Sequence, residues 1–223
     1  MAVQSELLKR IYYFSGCSSD ELNSIKKFLS PKTVRKGEIF LIEGDWSDFL
    51  YFLVTGVVKV YKTSPEGKEQ ILHITHFGES LNDVSIFDGG PNAASMFAMT
   101  PVVLYEMRRR DLNVVLRDHS QIALNAIKTL ASRVRRDSSL VEDLSFVQVT
   151  GRLAKMLRKL GEETTEVVPR LTQQDMAAMV GTTREVVNRS LKIMEEKGAI
   201  RQGRQGVVIV DKKALEEMME ASS

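Results

Sequence analysis

The stretch Leu171-Thr-Gln-Gln-Asp-Met-Ala-Ala-Met-Val-Gly-Thr-Thr-Arg-Glu-Val-Val-Asn-Arg-Ser-Leu-Lys-Ile-Met194 permits few folds. It reads as two short helices joined by a tight turn. Thr172, with Asp175 three residues on, forms a capping-box-like start. Gly181 turns the chain, and Thr182 or Thr183 stands where a cap for the second helix belongs. On that second helix Val187, Leu191 and Met194 fall at i, i+4 and i+7, a stripe that seeks a core. Arg184, Glu185, Asn188 and Arg189 fall on the other side. Arginine can bond guanine with two donors and glutamate can accept from cytosine N4, each good pair discriminating by about 1–3 kcal/mol. A solvated charged face is the competing reading. The turn glycine, the caps, the two-faced helix and a following hairpin agree instead on a DNA reader. That hairpin runs from Ala199 to Val210, with Arg204 at its tip in reach of phosphate.

The chain upstream has a different texture. Leu7, Leu8 and Ile11, then Leu22, Ile25, Phe28 and Leu29, predict short helices, with Ser18 or Ser19 as a cap and Pro31 as the end. From about 32 to 107, apolar runs rich in Val, Ile, Phe and Tyr recur between Gly37, Gly44, Gly56, Gly67 and Gly78. This predicts short antiparallel strands with tight turns. Phe49 to Tyr61 is expected to be one strand pair broken at Thr55-Gly56, and Ser64-Pro-Glu-Gly67 a turn.

Between Ser120 and Leu144 the apolar spacing becomes helical. Ala123, Ile127, Leu130, Val134, Asp137, Val141 and Leu144 alternate steps of four and three, a heptad seam. One such helix has no partner in its own sequence, so a second copy is the economical explanation; packing on the strand domain is the alternative. Asp137 breaks the apolar pattern and must either find a partner or face a ligand. Val147 to Leu160 predicts a further helix, with Leu153, Met156, Leu157 and Leu160 on one side.

Charge does not carry the DNA argument. Residues 145–223 hold 13 Lys/Arg against 11 Asp/Glu, so contact with DNA rests on local placement. No run reaches the roughly 18–20 apolar residues that cross a bilayer, and no signal peptide is evident, so no membrane association and a cytoplasmic location are expected. The single cysteine, Cys17, excludes an intrachain disulfide and an all-cysteine metal or iron–sulfur site. No Gly-x-Ser-x-Gly elbow, P-loop or catalytic His/Asp/Glu grouping occurs, which argues against an enzyme. A ligand-binding or scaffolding module without DNA is the better rival, and the terminal helix pair argues against it.

The chain resembles the Crp/Fnr superfamily of bacterial transcription regulators over nearly its whole length. The helix pair looks like that family's winged helix–turn–helix, and Phe146-Val-Gln-Val-Thr-Gly-Arg152 like its hinge and first DNA-domain helix. Leu50-Tyr-Phe-Leu-Val-Thr-Gly56 resembles its cyclic-nucleotide-binding β-roll, and Ser120–Leu144 its dimerisation helix. The resemblance implies an α+β fold: a β-roll effector domain over residues 1–118, a dimerisation helix over 119–145 and a winged helix–turn–helix over 146–223. It also implies a homodimer on a two-fold symmetric operator, half-sites about 34–36 Å apart, and RNA polymerase as a further partner. In the cyclic-AMP receptor branch an Arg-Glu-x-x-x-Arg pattern reads a TGTGA-type half-site, and Arg184, Glu185 and Arg189 match it.

The same resemblance exposes a departure. Nucleotide-binding members carry a phosphate cassette of the form Gly-Glu, apolar residues, then Arg-Ser-Ala. The segment Leu81–Ala94 fits it without gaps, with Asn82-Asp83 replacing Gly-Glu and Asn92-Ala93 replacing Arg-Ser. The cationic phosphate anchor is gone, and an unpaired phosphate in a partly buried pocket is costly. The base-contacting Thr of the dimer helix corresponds to Asp137. Cyclic AMP is therefore not expected. Haem needs an axial ligand; His73 and His76 lie three apart in an expected strand and point to opposite faces, and His119 starts the dimer helix. No cofactor is expected, a cyclic-nucleotide- or haem-sensing member being a further alternative. An uncharged or non-phosphate effector near Asn82, Asp83, Asn92, Ala93, Asp137 and Ser138 is one expectation; a vestigial pocket in a ligand-independent regulator is the other.

Overall fold

The computed structural model describes residues 3–163, 171–203 and 206–221. By internal contacts the chain divides into two units, Met1–Lys62 with His73–Arg135, and Thr63–Leu72 with Arg136–Ser223.

The first unit begins with helices α1 (Ser5–Leu8) and α2 (Ser19–Lys26), separated by a 3₁₀ turn at Tyr12–Phe14. Ser18, not Ser19, caps α2: its hydroxyl accepts from the Glu21 N–H while the Glu21 carboxylate accepts from the Ser18 N–H. Eight strands follow, β1 (Ser30–Val34), β2 (Ile39–Leu41), β3 (Phe49–Thr55), β4 (Val58–Thr63), β5 (Glu69–Thr75), β6 (Ser80–Leu81), β7 (Ser95–Ala98) and β8 (Val102–Arg108), with helix α3 (Asp83–Asp88) between β6 and β7. They form two four-stranded sheets, ordered β1-β8-β3-β6 and β2-β7-β4-β5. Pro31 does not merely end a helix. It lies in edge strand β1 opposite Tyr105, a place where a missing N–H is tolerated.

The expected strand pair across Thr55-Gly56 is corrected by this topology. β3 and β4 run in different sheets, β3 beside β8 and β6, β4 beside β7 and β5. Gly56 makes the crossing possible. Its φ is +94°, and a Cβ there would stand 2.4 Å from the Pro101 carbonyl oxygen. β3 is buried on both faces, which is why Leu50-Tyr-Phe-Leu-Val54 reads as a continuous apolar run rather than an alternation. Leu50, Phe52 and Val54 meet Tyr13, Phe14, Leu22, Ile25, Tyr105 and Met107 in one core. Two further helices complete the order here: α4 (Arg109–Asp118), which the sequence reading missed, and α5 (Ser120–Phe146). Ile122 and Ala126, near the start of α5, enter the same core.

The second unit takes in Thr63–Leu72, with the first part of β5, and α5 from Arg136 on, and contains helices α6 (Val149–Glu163), α7 (Gln173–Val180) and α8 (Arg184–Glu196), strands β9 (Ile200–Gly203) and β10 (Gly206–Ile209), and helix α9 (Lys212–Glu220). Its core joins Leu153, Ala154 and Leu157 of α6 to Met176, Val180, Val187, Leu191, Met194, Ile200, Leu215 and Met218. The α9 helix was also missed. Its signal was present in Asp211, whose carboxylate accepts from the Lys213 and Ala214 N–H groups, followed by Leu215 and Met218 on one face. Among the described residues no helix is long and apolar enough to cross a membrane.

Candidate nucleic-acid interface and effector site

The helix–turn–helix is built as its residues dictate. The Thr172 hydroxyl accepts from the Asp175 N–H at 3.0 Å, and the Asp175 carboxylate accepts from the Thr172 N–H at 3.1 Å. The Thr172 side chain thus has a structural task, whatever it does toward DNA. Gly181 ends α7 in the left-handed conformation, φ +68°, where a side chain would be strained and would collide with Leu144. Thr183 occupies the N-cap position of α8 without a side-chain bond to the helix N–H groups. Instead the Glu185 carboxylate is held below the usual carboxylate range by its own N–H, by the Thr183 hydroxyl and by the Arg184 charge.

The two faces of α8 separate as expected. Val187, Leu191 and Met194 are buried, and Arg184, Glu185 and Arg189 are exposed, with Asn188 partly so. Lys192 is exposed one turn beyond Asn188, a basic position the sequence reading passed over. β9 and β10 pair antiparallel from Ile200↔Ile209 to Gly203↔Gly206, which confirms the hairpin. Arg204, expected at its tip, lies outside the described residues.

The expected seam of α5 is exposed at three positions. Ile127, Val134 and Val141 are 62%, 66% and 64% exposed in the single chain. Leu130 is half-buried. Leu144, expected in the seam, is 38% exposed and lies against the Gly181 turn.

The residues expected around an effector are already engaged, and not all with one another. Asn82 is the only non-glycine residue with positive φ among those described, at 70°, and it stands where the cassette resemblance has glycine. Asparagine tolerates that conformation best after glycine. Its side-chain amide donates to the Phe49 carbonyl at 3.1 Å. Asp83 is fully buried. Its carboxylate accepts from the Tyr13 phenol, from the Ser80 hydroxyl at 2.6 Å and from Arg133 of α5. Arg133 also donates to the Ser80 carbonyl and, at 3.1 Å, to its hydroxyl. Burial, and then the Asp83 charge, push the Tyr13 phenol above its ordinary range. Tyr13 is tied to α5 a second time, since the Asn125 amide donates to its carbonyl at 3.0 Å.

Asn92 fastens a loop. Its N–H donates to the Asp45 carbonyl at 2.7 Å, its carbonyl accepts from the Gly44 N–H at 2.9 Å, and its amide donates to the Ile42 carbonyl at 3.0 Å. The carbonyl of Ala93 accepts from Lys62 at 2.9 Å. Asp137 and Ser138 belong to the second unit; the Asp137 carboxylate is mostly exposed, 3.7 Å from Arg136 Nε. His119 ends α4, with its ring within 3.2 Å of the Ser24 hydroxyl and 3.5 Å of Glu21. His73 lies in β5 and His76 just after it. Sequence reasoning missed Tyr13 and Arg133. Both sit far along the chain from Asp83, so no local spacing pointed to them.

Comparison with known proteins agrees with this architecture. The cyclic nucleotide-binding domain family matches residues 31–119, and the Crp-like helix-turn-helix domain family matches residues 151–218. The chain is 32% identical over 217 residues to the CRP-like cAMP-activated global transcriptional regulator of Mycobacterium tuberculosis, covering 94% of this chain and 97% of that protein. The Thermus thermophilus catabolite activator protein superposes with a TM-score of 0.56 at 27% identity, covering 95% of this chain and all of that one. The c-di-GMP-responsive global regulator CLP of Xanthomonas campestris superposes with a TM-score of 0.78 over 87% of this chain and all of that one; at 19% identity that likeness is one of fold. With a cyclic nucleotide-binding domain match followed by a Crp-like helix-turn-helix match, and a relative 32% identical across 94% of this chain, the chain belongs to the Crp/Fnr superfamily of transcription regulators.

Proposed function

We propose that the chain acts as a homodimer that binds palindromic DNA with TGTGA-like half-sites and regulates transcription with RNA polymerase in the cytoplasm, without cyclic AMP. The observation that carries the reading is the exposed Arg184, Glu185 and Arg189 face of α8 above a fully buried apolar back. Each arginine can engage a guanine through two donors, and Glu185, held ionised at the helix start, can accept from cytosine. The open Ile127, Val134 and Val141 stripe supports pairing of two α5 helices. Selection from a random duplex library, followed by salt titration of the winning site, tests the assignment. An unrelated core sequence overturns it.

The relative in Mycobacterium tuberculosis is named as cAMP-activated. That effector does not transfer readily to this chain. Asn92 supplies no cation for a phosphate; its amide N–H, carbonyl and backbone N–H bond Ile42, Gly44 and Asp45, and its Oδ1 is buried without a partner among the described residues. Asp83 is committed to Tyr13, Ser80 and Arg133. An effector without phosphate is the first regulatory reading. The closed network around Asp83 favours the second, a ligand-independent dimer with a vestigial pocket. Calorimetry showing micromolar or tighter cyclic AMP binding defeats both. DNA affinity unchanged by extensive dialysis supports the ligand-independent form.

A further inference from the structure

One side chain ties the end of α5 to the turn before the recognition helix. Arg152 stands in the first turn of α6, just past the two-residue break at Val147-Gln148. Its Nε donates to the Val180 carbonyl at 2.8 Å, and Nη1 donates to the carbonyls of Val147 at 2.7 Å and Asp143 at 3.4 Å. Val180 is the last residue of α7, and Asp143 lies in the last turn of α5. The Asp143 carbonyl also accepts from the Val147 N–H at 3.1 Å, so Arg152 adds a second, longer bond to it; carbonyls at a helix end favour a cation. Arg152 therefore gathers two helix ends and the hinge between them around one rigid plane. Two neighbours act in the same sense. Lys155 gives its ammonium to both Asp143 carboxylate oxygens at 2.8 Å. Leu144 fills the space left by the missing side chain of Gly181. All of these residues lie in the second unit.

We propose that Arg152 is a positioning residue that sets the angle of α8 relative to the end of the dimer helix, and so sets the half-site spacing the dimer accepts. The inference rests on the homodimer reading above. In a two-fold dimer, a rotation at the 147–148 break moves the two recognition helices in opposite senses, so a small hinge error is doubled. One base pair shifts a half-site by about 3.4 Å along the duplex and turns it by about a tenth of a helical turn. A guanidinium held by three carbonyls in different directions resists both motions; a lysine ammonium lacks the planar fork. The Arg152 head is not part of the apolar core that folds the unit, which Leu153, Leu157, Val187, Leu191, Met194 and Leu215 supply.

The test measures anisotropy with duplexes carrying two TGTGA half-sites at the best spacing, at one and two base pairs either side, and with a single half-site. Wild type should lose about tenfold in affinity for a one-base-pair shift, a difference of about 1.4 kcal/mol. In Arg152→Met the single-site affinity should stay within about twofold, while the one-base-pair penalty falls to about threefold or less; Arg152→Lys should fall between. Loss of one positive charge weakens all duplexes alike, so the ratio between spacings is the readout. Lys155→Met should broaden the profile in the same direction and stands in if Arg152→Met does not fold. A variant profile as sharp as wild type overturns the positioning role. A wild type indifferent to the second half-site overturns the homodimer reading, and the proposal with it.

Discussion

Arg133→Met tests whether the Asp83 site is a structural anchor. The Asp83 carboxylate is 0% exposed and the Arg133 side chain 18% exposed, so the substitution leaves a buried carboxylate without its cation. Breaking a buried pair from one side costs about 3–5 kcal/mol. The lower end applies, because the Tyr13 phenol and the Ser80 hydroxyl still donate to Asp83, each bond to a charged group contributing about 1.5–3 kcal/mol. A loss of about 3 kcal/mol is therefore expected, or roughly 6–12 °C in melting temperature for a chain of this length. Asp83→Asn alone should cost about 2 kcal/mol, since an amide cannot accept from all three donors. The double variant removes both charges and should cost about 2–3 kcal/mol, less than the sum of the two single losses, with a coupling of about 2 kcal/mol. Urea unfolding followed by circular dichroism, with calorimetry at one fixed subunit concentration, reads these values. If Arg133→Met costs less than about 1 kcal/mol, or the double variant equals the sum of the singles, the ion-pair reasoning fails.

Three further outcomes are expected. Arg184→Ala should weaken binding to a TGTGA operator by about 5–150-fold, the equivalent of 1–3 kcal/mol, and weaken non-specific binding far less; equal losses contradict a base-reading role. Val134→Glu puts a carboxylate into the exposed α5 stripe and should shift the protein toward monomer in sedimentation at micromolar concentration, whereas Asp137→Leu should tighten the dimer; an unchanged dimer in both removes the seam assignment. Because Tyr13 is raised in the folded protein, the unfolded chain releases that proton first as pH climbs. The Tyr13 contribution is whole below about pH 10 and declines above it by about 1.4 kcal/mol per pH unit until the native phenol also ionises. Tyr13→Phe should therefore flatten the alkaline arm of stability against pH; an identical arm in both proteins removes Tyr13 as its source.

Local pattern made the DNA-reading end legible. The cap at Thr172, the turn at Gly181 and the buried stripe Val187, Leu191 and Met194 lie within one short segment, where helical period decides which side chains share a face. The α5 helix was legible for the same reason. The β-roll was visible only as a succession of strands. The alternation of residues along Phe49–Tyr61 says nothing of which strand lies beside which, and β3 and β4 part into different sheets at Gly56. The α4 and α9 helices were overlooked although Leu112 and Val115, and Leu215 and Met218, carry a helical period.

The residues expected around an effector show where sequence alone stopped. It determined that Asn92 is uncharged and Asp83 an acid, because residue identity fixes charge; that Asn92 stands in for a cation is what the family resemblance implied. It also determined the Arg184, Glu185 and Arg189 face, because one helix turn fixes that geometry. Only the tertiary structure decided what the acid does. Tyr13 lies 70 residues before Asp83 and Arg133 lies 50 residues after it, and folding alone brings them to one carboxylate. Likewise only folding brought Arg152 within reach of the Val180 carbonyl, 28 residues away. Periodicity reports which face a residue occupies; which distant group meets it there depends on packing between elements, and that is written nowhere in a single segment.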